Sequence, residues 1–257
     1  MLKNFYPSQM RYFFEIAFNG NPYHGWQIQE NAITVQQVVQ EKLQLIYKNE
    51  KPVVTGCGRT DAGVHAEQFF FHVDIPTIKN LDKYCFQMNN MLPIEIQLKK
   101  IRLVKEDAHA RFDALSRTYE YRFTTLKSPF NTGFVTYISG EINVNSMNEC
   151  CKMIKGKHDF TSFSKTHTDV NHFFCEILDA KWVKKDEQII FRVKANRFLR
   201  NMVRALVGTM VLVGKEKISL SDFEKIMLSK DRTNAGPSAK AQGLFLTNIS
   251  YPNQIYV

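Results

Sequence analysis

The first half of the chain changes its hydrophobic period several times. Residues 11–18 alternate, with Tyr12, Phe14, Ile16 and Phe18 on one face and Phe13, Glu15 and Ala17 on the other. That period of two predicts a β-strand, which Asn19-Gly20-Asn21-Pro22 ends. Thr34 then stands at a helix N-cap with Gln37 at the reciprocal position, and Val35, Val38, Val39, Leu43 and Ile46 supply one apolar face. A strand dense in Phe is predicted over 67–75, a short helix over 80–91 and a further strand over 94–104. This strand-helix-strand-helix-strand half closes near residue 106.

The second half repeats the theme. Strands are predicted at 109–124, 174–184 and 188–195, and helices at 144–156, 197–213 and 219–229. The stretch 158–173 is polar, His-rich and aperiodic, which reads as a mobile loop. The expected fold is α+β, with two similar mixed α/β halves, 1–106 and 107–257. Each half would carry an antiparallel sheet with helices packed on one face, and a cleft would lie between them. No residue-level repeat accompanies this pairing of halves.

The 197–213 segment has a second pattern inside the first. At about 100° per residue, Arg197, Arg200, Asn201, Arg204 and Gly208 fall within one narrow sector. Phe198, Leu199, Met202, Val203, Leu206 and Met210 cover the rest. A basic stripe therefore runs down a mostly apolar helix. It is either a solvated face or a set of half-buried arginines that need partners. Gly208 lies on the stripe, where it could admit another backbone or a ligand.

Composition narrows the class. Hydrophobic residues make up 44% and charged residues 23% of 257 residues, a globular balance. Lys and Arg number 34 against 25 Asp and Glu, a net charge of +9 that favours polyanionic partners. No window of about 18 apolar residues offers a transmembrane helix, and Met1–Pro7 lacks the apolar core of a signal peptide. Five cysteines, Cys57, Cys85, Cys150, Cys151 and Cys175, include no CxxC. They read as reduced thiols of a cytoplasmic protein rather than a disulfide framework or zinc site. Seven histidines, His24, His65, His72, His109, His158, His167 and His172, show no HxxxH ligand spacing, so no metal and no cofactor is expected.

One loop carries candidate chemistry. Gly56-Cys57-Gly58-Arg59-Thr60-Asp61-Ala62-Gly63 lies between two predicted strands, and its glycines let the backbone turn sharply and a ligand approach closely. Arg59 and Asp61 project from the same side of an extended loop. On residue types alone, Asp61 reads first as a turn former that hydrogen-bonds its own backbone.

Gly58-Arg59-Thr60-Asp61-Ala62-Gly63-Val64-His65-Ala66 resembles the signature of the TruA-type tRNA pseudouridine synthases. Tyr23-His24-Gly25-Trp26-Gln27-Ile28-Gln29 with Thr34-Val35-Gln36 resembles that family's opening motif. Phe112-Asp113-Ala114 with Arg117-Thr118-Tyr119-Glu120-Tyr121 resembles its central motif. Asn196 to Arg204 with Val207-Gly208-Thr209 resembles its late helix, and Ala241 to Leu246 with Tyr251-Pro252 its C-terminal strand. The five motifs span about residues 11–252 in register. Departures are Asn19-Gly20 for Asp-Gly, Asn201 where His is frequent, and Phe173-Phe174-Cys175, which lacks a preceding Thr-x-Arg.

The resemblance implies an isomerase that converts uridine to pseudouridine in the anticodon stem-loop of tRNA, at tRNA positions 38, 39 and 40. It implies Asp61 as the catalytic nucleophile or base, paired with Arg204. It further implies Arg59 as the residue that displaces the nucleotide, Tyr119 against the target base and Leu244 packed on it. A homodimer bridged by one tRNA is implied as well. The alternatives are a non-catalytic tRNA-binding or folding protein of the same fold, and a nucleoside hydrolase. The hydrolase would want a second carboxylate, for which only Glu67 is near in sequence. Scattered candidates for phosphate contacts are Arg11, Lys79, Lys83, Lys99, Lys100, Arg102, Arg111, Arg117, Lys165, Lys184, Lys185 and Lys194.

Overall fold

The computed structural model describes residues 9–48, 51–165 and 170–257. In chain order the main elements are β1 (Gln9–Phe18), α1 (Val35–Ile46), β2 (Thr55–Gly56), β3 (His65–Pro76), α2 (Leu81–Met91), β4 (Ile96–Leu103) and β5 (Ser116–Thr124). They continue with β6 (Thr136–Tyr137), α3 (Val144–Ile154), β7 (Gly156–Asp159), β8 (Phe174–Lys185), β9 (Gln188–Ala195), α4 (Met202–Gly214), α5 (Leu220–Ser229) and β10 (Leu244–Ser250). The chain divides into two compact units. One runs up to Leu115 and includes Ile249–Val257; the other is Ser116–Asn248. The class is α+β: β1–β3, β1–β4, β2–β3, β5–β9, β7–β8 and β8–β9 pair antiparallel, and the short β5–β6 contact is parallel.

In the first unit β1 is the central strand, between β4 and β3. Register places Phe14 opposite Phe71 and Ile16 opposite Phe69, so the alternating apolar side of β1 stacks on the same side of β3. Trp26 lies on Phe69 with ring centroids 4.2 Å apart, and Tyr84 of α2 meets Phe14 edge-on. The Thr34 hydroxyl caps α1 by accepting from Gln37 N. Val35, Val39 and Leu43 are buried as the periodicity requires. Val38 is only half-buried and Ile46 is exposed, a narrower apolar face than the sequence predicted. On the opposite side of the sheet Phe13 packs against Phe70 and Tyr251.

The second unit orders its strands β10-β5-β9-β8-β7. Trp182 stacks on Phe191 and meets Phe123 edge-on, and its indole N–H donates to Met210 Sδ of α4 at 3.3 Å. That contact seats the apolar α4 on this side of the sheet.

Three predicted segments change. Residues 109–115 are not strand: His109 N donates to Asp113 Oδ2 at 2.7 Å and Asp113 N returns to His109 O, which closes a turn ahead of β5. The helix predicted from 197 begins at Met202, because Asn196 is still tied to β8 through Glu176. Asn201 then sits at φ +65°, outside helical space. Residues 158–164 are not a mobile loop. They complete β7 and a 3-10 turn, Thr161–Phe163, with Phe160, Ser162 and Phe163 fully buried. Aperiodicity there marks a buried corner. The His167 position lies outside the described residues.

Candidate active site

The Asp61 loop joins β2 to β3, and its shape is fixed by residues 20–26. Val64 N donates to Asp61 O at 3.2 Å, closing a turn with Gly63 at φ +76°, the left-handed position such a turn reserves for glycine. Gly63 N donates to Tyr23 O, and Trp26 N donates to Thr60 O. Gly20 N donates to Nδ1 of the buried His65 at 3.0 Å. Gly25, at φ +85°, approaches so closely that a Cβ there would lie 2.2 Å from Thr60 O. At Gly20 the corresponding distance, to Val64 O, is 2.1 Å. The opening motif and the carboxylate loop are thus two halves of one backbone interlock. Residues 25 and 26 also accept bonds from the first turn of α1, through Val35 N and Gln36 N. The Gln36 side chain donates to Val54 O and accepts from Ile28 N.

Within this frame Arg59 is exposed and Asp61 is half-buried. The Thr60 hydroxyl is buried without a hydrogen-bond partner. Nothing lies within 4 Å of where a Cβ at Gly58 would stand, so the loop borders open space there.

The arginine helix is clamped in another way. Arg204 Nε donates to Ala239 O at 2.7 Å, and Ala239 N donates back to Arg204 O at 2.9 Å. Gly208 faces the same segment: a Cβ would fall 1.7 Å from Pro237 O. The sequence expectation that Gly208 admits another backbone therefore holds, and the backbone is residues 235–239. Thr209 Oγ1 accepts from Gly236 N, Asn201 Nδ2 donates to Ser238 Oγ at 2.6 Å, and Arg232 binds Ala235 O, Gly236 O and Ser238 Oγ. The strap and its Arg232 anchor carried no periodic signal. Gly236-Pro237 was the only local hint of a turn.

Of the predicted basic stripe, only Arg204 and Gly208 lie on helix. Arg197 and Arg200 precede it; Arg197 N is capped by Asn196 Oδ1, and Arg200 O accepts from Lys165 N. Arg204 is half-buried. Its charge acts on the Tyr121 hydroxyl, which burial pushes up to about 12 while the bond to Thr136 and Arg204 pull it down. Tyr119 is half-buried on β5, paired with Val193, and its ring meets Phe198 edge-on at 5.1 Å. Leu244 opens β10 and is buried.

Arg11, one of the candidates for phosphate contact, has a partner within the fold. It forms a two-pronged ion pair with Asp74, both contacts 2.7 Å, and this bond holds the Asp74 carboxyl below its ordinary value. No group of His, Cys, Asp and Glu among the described residues is arranged to hold a metal ion. No described helix is long and apolar enough to cross a membrane. None of the five cysteines forms a disulfide.

A profile of the family described as tRNA pseudouridine synthase matches residues 150–252. Three relatives called tRNA pseudouridine synthase A align with nearly the whole chain. That of Bacteroides fragilis is 45% identical over 97% of this chain and 99% of its own. That of Porphyromonas gingivalis is 44% identical over 96% and 99%. That of Ruminiclostridium cellulolyticum is 39% identical over 92% and 97%. A chain from a solved Cbf5-Nop10-Gar1 complex aligns over 91% of this chain and 57% of its own at 10% identity and a TM-score of 0.36, too distant to bear on the fold.

Proposed function

The chain belongs to the tRNA pseudouridine synthase family, and from that premise we propose that it isomerises uridine to pseudouridine in the anticodon stem-loop of tRNA, with Asp61 as the catalytic carboxylate. The observation that carries this reading is the interlock of the Asp61 loop with Gly20, Tyr23, Gly25 and Trp26. It holds a half-buried carboxylate on a rigid frame, as positional catalysis requires.

The reaction breaks the N1–C1′ bond, turns the detached uracil and joins C5 to C1′; the C5 proton leaves and N1 gains one. The carboxylate serves as nucleophile toward C1′ or as base toward C2′–H, and both roles need it ionised. Arg204 is the proposed counter-ion. With Nε committed to Ala239, its terminal nitrogens are the donors that suit a carboxylate fork. Arg59, exposed at the loop surface, is proposed to displace the target nucleotide, which is unreachable while stacked. Tyr119 is proposed to contact the freed base, its half-exposed ring supporting that role; Leu244 as its apolar neighbour rests on the resemblance alone.

A homodimer is proposed as the acting form. Support comes from the second unit, where exposed Phe130, Phe134 and Val183 line one groove with charges of both signs, among them Arg122, Lys181, Glu120 and Glu187. A self-complementary mixture of this kind suits an isologous contact. Five cysteines held as thiols rather than disulfides support action in a reducing compartment, the cytoplasm.

Release of tritium from C5-labelled uridine in unmodified tRNA, without added metal or cofactor, is the test. Asp61→Ala is expected to lower release at least a thousandfold, the scale on which removal of a catalytic nucleophile acts, with tRNA binding retained. Near-normal release from Asp61→Ala would overturn the assignment, and free uracil as product would mark a hydrolase.

A further inference from the structure

The connection from β4 to β5 builds a feature that the isomerisation does not use. Ala108 and Ala110 are buried, and their backbone is fastened from below. Arg11 Nη1 donates to Ala108 O at 3.1 Å, Ala110 N donates to His72 Nδ1 at 3.2 Å, and the Tyr251 hydroxyl donates to Ala110 O. His109 stands on His72 edge-to-face, with centroids 4.7 Å apart. Its Nδ1 accepts from Arg111 N at 3.1 Å and from Phe112 N at 3.4 Å, which leaves the ring's proton on Nε2. Burial lowers the His109 pKa, so the ring is neutral near pH 7. On top lies Phe112, 73% exposed, 4.3 Å from the His109 centroid and tilted by 36°, with the Arg111 guanidinium 5.5 Å from its ring centre.

An exposed Phe adds nothing to a core, and a floppy turn would let it fold down. Here the N–H groups of Arg111 and of Phe112 itself, both donating to His109 Nδ1, hold it up. A rigid aromatic face, a neutral imidazole behind it and a guanidinium beside it match the chemistry that stacks a nucleobase. A protein surface would find one ring among the exposed charges of Lys105, Glu106, Asp107 and Arg111, too little apolar area to dock on.

We propose that the Ala108–Asp113 turn is a stacking platform, Phe112 backed by His109, for an unpaired nucleobase of the RNA substrate other than the target uridine. The proposal rests on the functional reading above. It assigns Phe112 to holding the RNA rather than to chemistry.

The test uses the full-length protein, unmodified tRNA transcript and steady-state tritium release. Phe112→Ala should raise Kd and KM about tenfold, or ~1.4 kcal/mol, with kcat at saturating tRNA and the melting temperature unchanged. Phe112→Leu, apolar but without a π face, should show the same loss. Phe112→Trp should bind as the wild type does, with emission quenched on adding tRNA. The loss factor should persist from low to high salt, because stacking releases no counterions, unlike a phosphate contact. Wild-type Kd and KM in Phe112→Leu, or unquenched emission from Phe112→Trp, overturn the platform. A wild-type protein that neither binds tRNA nor releases tritium overturns the functional reading instead.

Discussion

The Asp61 loop and the α4 arginine are both held by a glycine pressed against a carbonyl, Gly25 on Thr60 and Gly208 on Pro237. The difference lies in what else takes part. Around Asp61 the clamp is mainly backbone to backbone, through Gly63 to Tyr23 and Trp26 to Thr60. These bonds join main-chain atoms of the two segments. In the second unit the proposed catalytic side chain is part of its own clamp, since Arg204 Nε closes on Ala239 O. A frame closed by main-chain bonds keeps those bonds when a side chain is changed. A frame closed by the side chain itself ties chemistry and stability together.

Gly25→Ala is the strongest test of the first half of that contrast. The new Cβ must move Thr60 O from 2.2 Å to ordinary contact, and the φ of +85° adds roughly 1–2 kcal/mol of backbone strain for an L-residue. Displacement of about 1 Å next to Asp61 should lower activity by about a hundredfold, measured as tritium release beside a thermal melt. Retained activity would mean that the interlock does not position the carboxylate.

Gly208→Ala comes next. Alanine favours a helix by about 1 kcal/mol over glycine, but its Cβ would sit 1.7 Å from Pro237 O. Overpacking should win, with a net loss of about 2 kcal/mol by denaturant titration. A stabilised variant would show the strap to be loosely held.

Arg204→Lys separates charge from scaffold. It retains a cation but has no counterpart to the Nε bond, so a stability loss of about 1 kcal/mol is expected together with a kinetic defect. A kinetic defect with unchanged melting would show that the clamp bond contributes nothing.

The smallest effect concerns acid. Burial, then the Arg11 charge, lowers His72 to about 4 from an ordinary 6.5. Between those values the unfolded chain takes up a proton that the folded chain refuses, so stability is full above pH 6.5 and falls as pH drops toward 4. The slope should stay below ~1.4 kcal/mol per pH unit, because a single ring takes up at most one proton. Melting between pH 7 and pH 5 measures it. An unchanged slope in His72→Gln would assign the acid response to another group.

The strands and helices that carry the site were legible because their signals are local. Alternation over 11–18 produced β1, the Thr34 cap fixed the start of α1, and turn glycines bounded the Asp61 loop. The predicted stripe on 197–213 was half right. Periodicity identified the face of Arg204 and Gly208 but carried the helix back through Arg197 and Arg200. Asn196 remains bound to β8 there, and no helical pattern encodes that tether.

By itself, then, the sequence determined the α+β class, the family and the place of the Asp61 loop between two strands, because periodicity and turn residues act locally and the motifs recur in register. Tertiary structure alone decided that Tyr23-His24-Gly25-Trp26 is the seat of that loop. It also decided that residues 235–239 strap α4, that Arg11 is spent on Asp74, and that Phe112 stands exposed on His109. Each of these joins residues far apart in the chain through a carbonyl, a ring or a missing Cβ. Such contacts exist only once the backbone has closed around them.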